Sequence, residues 1–439
     1  MNFTLMLTKF WREWRFPVEF ALLLALVFFL PLREAPKNLF WLAYVVTWLV
    51  NRAFVHRWPR DGAPRWGGRW DGWDTLFAVW ISSGYAAALF AGIHTPEANE
   101  WGAVNDLVRY VSLAWCVRRA GYTRAQALLV LGMLAVSASL GTVEALWRWK
   151  ITHAKKALEL KSVGHVNHSA IYLTICAGIA TGLMCALWRR ASAASLTARA
   201  ASSAVRAAAI FGAMALFLTA AVFMTNSRAA FVAVLLVVVL CVFFGFRAGR
   251  FGARAWAMVA AALVLALTLG GIGSVYRNIE HARTNNLTAE RDLIWNRALV
   301  AAATHPWFGV GMDNFSRITD DRLQQWLAAQ GKKYEPKDYR LAPHAHSLYL
   351  NTLTERGAAG LAVVLALLLA WGVRLWRLRP RTGSDGEETA LWCAAFSGWL
   401  VTAFIGLANT TMHHEHAILA LLTLSLWLAQ SEAPPAQPA

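Results

Sequence analysis

Apolar runs of about 18–24 residues recur along most of the chain, each long enough to cross a hydrocarbon core of about 30 Å as a helix. Twelve such segments are predicted, at 16–32, 38–54, 73–93, 102–118, 125–147, 168–188, 204–225, 228–246, 255–275, 356–376, 390–408 and 415–430. Only a helix bundle satisfies its backbone inside lipid in this way. The fourth segment is the most polar, because Asp106 and Arg109 lie within it. Between the ninth and tenth, residues 276–345 contain no Gly/Ser run, and a connection of that length predicts structure of its own. Thr288 reads as an N-cap, with Glu290 and Asp292 in the first turn where a helix dipole favours acids. That helix should end at Thr304, before His305-Pro306. Gly309 and Gly311 then predict a turn, and a short helix follows near 320–330 with Leu323, Trp326 and Leu327 on one side, suited to a membrane surface. The expected organisation is a membrane bundle over 1–275, a partly helical loop over 276–345, a second bundle portion over 346–430 and a disordered Pro/Ala-rich tail over 431–439.

Composition supports this division. Hydrophobic residues make up 57% of the 439 and charged residues only 15%, against about 25% charged in soluble domains. That excludes an ordinary soluble protein, a disordered chain, collagen and a disulfide scaffold. The five cysteines lie in or beside apolar runs with no CxxC spacing, and are expected to be small apolar residues. The net charge of +17 would suggest nucleic acid on a soluble protein. Here Arg-rich cytoplasmic loops explain it, and no nucleic-acid partner is expected. With the N-terminus inside, the inner segments hold 22 basic residues, Arg52, Arg118 and Arg119 among them, while the outer turns near 94–100 and 409–415 hold none. Lys9, Arg12 and Arg15 precede the first run without a small-residue cleavage site, as in a retained signal anchor. Trp41, Trp73, Trp101, Trp147, Trp188 and Trp376 fall at span ends, where an aromatic belt would lie.

Positive charge that stays on the outer side has no topological use. Residues 148–167 carry Arg148, Lys150, Lys155, Lys156 and Lys161 against Glu159 alone. The long loop is nearly balanced, with ten basic and eight acidic residues. Thr225-Asn226-Ser227-Arg228 is the shortest connection between spans, so Arg228 must sit at the membrane boundary. It is either an interfacial anchor or a bidentate grip on phosphate oxygens. Arg291 lies on the first turn of the loop helix, with Trp295 one turn further, and it either pairs with Glu290 or Asp292 or meets an anion. Seven of the twelve histidines cluster at outer span ends: His165, His168, His344, His346, His413, His414 and His416. Pro343 marks a helix start, which would turn His344 and His346 to outer water. The HxxH, HxH and HHEH spacings would permit zinc, but there is no HExxH and no Asp-x-Asp. Neither a metal nor another cofactor is expected, and no nucleotide-binding Gly loop occurs.

Four stretches together resemble one family. TNSRAAF at 225–231, ERDLIWNRAL at 290–299 followed by HPWFGVGMDNF at 305–315, HAHSLYLNTLTERGAAGL at 344–361 and GHVNHSAIYL at 164–173 are similar to motifs of the O-antigen ligase and polymerase superfamily, in order. The resemblance spans roughly residues 160–430; the first four spans match by topology alone. It implies a GT-C-like glycosyltransferase in the bacterial inner membrane, working on the periplasmic side with an undecaprenyl-diphosphate-linked O-antigen donor. Carried over, Arg228 and Arg291 would bind the diphosphate and the motif histidine would be the general base. The family places Asn after that histidine, where this chain has Ser347. If the segment is helical, His344 and His346 point about 200° apart, and His346 is the favoured base, with Tyr349 one turn along and His344 solvated. The expected catalytic set is therefore His346, Arg228 and Arg291. Arg228, Arg291, His344, His168, Lys161, Trp295 and Tyr349 would bind substrate. A lipid A–core sugar is the favoured acceptor. A second O-unit (polymerase) or a protein hydroxyl remains open, and a transporter of the lipid-linked glycan is the alternative of a different class.

Overall fold

The computed structural model describes residues 17–57, 65–95, 98–155, 157–192, 197–247, 257, 260, 261, 264, 265, 268, 291–381 and 384–431. Among these residues the long elements are all helices and no strand occurs. In chain order they are α1 (Pro17–Phe29), α2 (Glu34–Arg57), α3 (Gly72–Leu89), α4 (Glu100–Arg118), α5 (Arg124–Leu146), α6 (Val166–Ala191), α7 (Ala198–Met224), α8 (Arg228–Arg247), α9 (Arg291–Thr304), α10 (Asp320–Ala329), α11 (Leu348–Arg377), α12 (Gly386–Ile405) and α13 (His414–Ser431). A single π-helical stretch, Trp147–Ile151, prolongs α5.

Helices stand at eleven of the twelve predicted spans. The ninth, 255–275, lies almost wholly outside the described residues, as do Thr288, Glu290 and the tail beyond residue 431. Among the described residues six helices are long and apolar enough to cross a membrane: α5 with its extension, α6, α7, α8, α11 and α12. The chain, helical throughout its long described elements, is thus a multi-pass membrane protein. Helix α6 is its axis, buried over nearly its whole length and packed against α5, α7, α8, α12 and α13. All five cysteines are buried thiols.

Three expectations change. The tenth span starts at Leu348 rather than residue 356, and it is broken at Gly357. Three inner arginines counted for orientation are internal struts instead. Arg118 and Arg119 are buried against Asp71 and Asp74, and Arg119 also donates to the carbonyls of Trp66, Gly68 and Arg69. Arg52 is buried near Glu19 (3.7 Å) and donates to the Ala120 carbonyl. Trp73 is buried in the core, not in a belt, whereas Trp101, Trp147, Trp188 and Trp376 are exposed. The polar fourth span is a helix, with Arg109 bridged to Asp106 at 3.3 Å and to Asn38 at 3.1 Å.

The loop builds a small core of its own. Ile294, Ala298 and Ala301 of α9 pack with Val310, Phe315 and Ile318 and with Leu323 and Leu327 of α10. Thr319 caps α10. Arg297 is 1% exposed, with its guanidinium donating to the carbonyls of Ile318 and Arg340 and to Asp320. The break in α11 then seats the loop. Val310 N–H donates to Thr354 O (2.8 Å) and Gly311 N–H to Glu355 O (3.1 Å), while Ala358 and Ala359 N–H donate back to Pro306 and Trp307. Gly309 and Gly357 have φ of +75° and +63°, and a Cβ on either would strike the backbone of the other strand of this crossing. Only glycine permits both the conformation and the approach.

Candidate active site

The histidines that the sequence scatters over three segments meet at the loop-bearing end of the bundle. His168, on the first turn of α6, is the hub. Its ring lies 6.0 Å from His165, 6.3 Å from His344, 6.1 Å from His413, 5.3 Å from His414 and 5.1 Å from His416, centroid to centroid. His344 is 4.3 Å from His346, and His413 is 3.7 Å from His414.

Helix amino termini surround this cluster. His165 caps α6, Arg228 opens α8, Arg291 is the first described residue of α9, Ser347 caps α11 and His414 opens α13. Unpaired N–H groups and helix dipoles at such ends favour an anion. Backbone strain gathers here too. Asn226, His346, Met412 and His414 have φ of 60°, 50°, 61° and 50°, a region costly for residues other than glycine. Asn226 makes the sharp turn from α7 into α8. The buried Thr225 hydroxyl donates to Val222 O (2.7 Å), bracing the turn so that Arg228 follows it directly.

Arg291 is half-buried, and among the described residues no carboxylate pairs with it. Its guanidinium is pushed down first by burial and then by the charge of Arg228, so the two cations lie within electrostatic reach of each other. Burial, then His344, then Arg291 lower His346 to about 4. Burial, followed by neighbouring imidazoles, also lowers His344 and His413. At neutral pH these rings carry no proton on their second nitrogen and present lone pairs.

The segment carrying His344 and His346 is not helical, so Pro343 starts no helix and the two rings are not on opposite faces. Both are half-buried. His344 Nδ1 is 3.4 Å from the Thr410 hydroxyl, which corrects the expectation that it is solvated. Ala345, between them, is clamped on both sides: its N–H donates to Asn351 Oδ1 (2.9 Å) and its carbonyl accepts from Trp295 Nε1 (3.0 Å). Asn351 is tied to Glu355 (2.9 Å), which also accepts from Phe315 N–H. Ser347, in the place of the family's asparagine, caps α11 by accepting from Leu350 N–H.

Arg228, Arg291, His346, His344 and His168 are therefore brought together. Trp295 and Tyr349 adjoin them with their polar atoms already engaged, Tyr349 donating to Ala403 O (2.8 Å). Lys161 is exposed, and its ionic contact is Glu144 at 4.0 Å, a residue that also binds Arg33. Sequence reading missed Lys37 and Glu415. They form a buried ion pair that ties α2 to the first turn of α13, beside His414 and His416. The signal was an acid inside HHEH with a lone lysine in the first outer turn, but nothing local joins them. Sequence reading also set aside HxxH and HHEH as metal spacings, yet the fold unites them, and His168, His413 and His414 could hold an ion.

Comparison with known families agrees with this geometry. Residues 212–365 match the O-antigen ligase family model, a stretch that contains Arg228, Arg291, His344 and His346 and both sides of the Gly309–Gly357 crossing. The segment at 164–173 lies outside the match. No curated protein matches the chain.

Proposed function

We propose that the O-antigen ligase domain over residues 212–365, completed by α6 and α13, transfers a glycan from undecaprenyl diphosphate to a sugar hydroxyl of lipid A–core. The site would open on the periplasmic side of the bacterial inner membrane, with the N-terminus cytoplasmic. The observation that carries this reading is that Arg228 and Arg291, at helix amino ends, lie within electrostatic reach of each other and Arg291 within reach of a neutral His346. Two guanidiniums within electrostatic reach of each other at helix amino ends favour an anion there, and a diphosphate is such an anion.

The chemistry follows from charge. The arginines and helix N–H groups bind the diphosphate and stabilise the negative charge that grows as its bond to the anomeric carbon breaks. His346 accepts the proton of the acceptor hydroxyl, whose oxygen attacks the anomeric carbon from the opposite face, inverting it. Undecaprenyl diphosphate leaves with the bonding electron pair. His346 is a weak base in the free protein, because burial and Arg291 disfavour its protonation. Donor binding offsets the guanidinium charge, so its basicity rises when the donor is in place. With two arginines meeting the leaving group's charge, the transfer needs no metal.

Purified protein incubated with lipid A–core and a lipid-linked O-unit tests the assignment. Extension of lipid A–core supports the ligase reading. Lengthening of the lipid-linked glycan alone would make it a polymerase, and transfer to neither would remove the proposal.

A further inference from the structure

The transfer derived above uses His346 and leaves most of the histidine cluster without a task. We propose that His168, His413 and His414 form a binding site for a first-row divalent transition metal, zinc being the expected ion. Their ligand nitrogens all lie within 4.8 Å of one another. Zinc–nitrogen bonds of about 2.0–2.1 Å in a tetrahedron set neighbouring nitrogens about 3.3 Å apart. Small ring rotations would close that difference.

Three observations point to a ligand rather than to packing. Buried imidazole nitrogens nearly always have a hydrogen-bond partner, but among the described residues His413 Nδ1 has none. His416 is 1% exposed and its ring is 5.1 Å from that of His168, a further buried imidazole beside the three. The backbone is bent where consecutive rings come together, since Met412 and His414, at the start of α13, both take left-handed conformations and the His413 and His414 rings are 3.7 Å apart. The donors are imidazoles, and the adjacent Glu415 carboxylate is occupied by Lys37. Oxygen-seeking Mg²⁺ and Ca²⁺ are poorly served by such a set, whereas Zn²⁺, Cu²⁺ and Ni²⁺ are well served. The site is built from α6 and the start of α13, so an ion there would pin the two elements together.

Untagged full-length protein in detergent, stripped with EDTA, should be titrated with zinc by calorimetry and with cobalt by visible absorption. One saturable ion per chain is expected, and cobalt should show the d–d bands of a low-coordinate nitrogen site. His168→Gln, His413→Gln and His414→Gln should each weaken zinc binding by at least about tenfold, and the exposed His94→Gln should not. Zinc should raise the melting temperature of the wild type and not of the three variants. Should one variant misfold, the other two carry the test. Absence of stoichiometric binding, or binding indifferent to all three substitutions, would overturn the site. Neither result depends on glycan transfer, so its outcome is separate from that of the ligase reading.

Discussion

At the scale of single residues, the arginine pair and the histidine pair make opposite demands. Arg228→Ala and Arg291→Ala should each cost about 1.5–3 kcal/mol of transition-state binding, roughly 10- to 150-fold in turnover, while the protein still inserts. Lysine at either place should recover only part, since a point charge lacks the bidentate fork. Steady-state transfer with purified variants checks this, and near-normal turnover in Arg228→Ala would remove it from the site. His346→Ala should lose about 10²–10⁴-fold in turnover yet retain donor affinity, because the arginines hold the diphosphate. His344→Ala should lose less, and the reverse ranking would make His344 the base. The pH profile gives a second handle. The base works only when deprotonated, so activity is lost as pH falls through its pKa, which lies near 4 in the free protein. The acid limb of kcat/KM should therefore lie at lower pH than that of kcat, since the bound diphosphate raises the pKa. Arg291→Gln should move the free-protein limb upward.

At the scale of elements, the crossing between the loop and the broken α11 places Arg291 and Trp295 against the His344–His346 turn. Gly357→Ala would put a Cβ into the Trp307 backbone at a φ of +63°, a conformation that alone costs about 1–3 kcal/mol. A displacement of about 1 Å can cost 10²-fold in rate, so turnover should fall by about that factor and the loop should become more sensitive to protease. Gly331→Ala is the control, because its φ is also positive (+69°) but a Cβ there meets nothing within 4 Å. Arg297→Ala should destabilise the loop by about 3 kcal/mol, since it leaves two carbonyls unpaired and a void in the small core. Thermal unfolding measures that loss, and a change near zero would show that Arg297 is dispensable to the loop.

At the scale of the whole molecule, orientation and metal use are the open quantities. With all five native cysteines buried, cysteines placed at Lys332 and Arg377 give a clean contrast. An impermeant thiol reagent should label position 332 in intact spheroplasts and not 377, and the opposite pattern would put the arginine pair on the cytoplasmic side. Transfer should survive EDTA, as the leaving group's charge is met by guanidiniums. Loss of turnover on chelation, restored by a divalent ion, would move the metal from a bystander site into the chemistry.

Much was legible from sequence because lipid is an undemanding judge: any run of the right length and apolarity becomes a helix there. The helices, the Thr304 end of α9 and the short α10 all follow from local pattern. So do the arginines, since charge with no topological role stands out against apolar spans. The motif glycines were visible only as a turn. That Gly309 and Gly357 permit one close crossing depends on two backbones 48 positions apart. The register of His344 and His346 was misread for the same reason. Pro343 suggested a helix, whereas Trp295 and Asn351 clamp Ala345 in a non-helical turn in which the two imidazoles lie 4.3 Å apart. The buried Lys37–Glu415 pair and the hub at His168 join α2, α6 and α13. Local propensity carries no information about such partners. Only packing decides which distant polar groups must meet, because each of them, once buried, needs another to satisfy it.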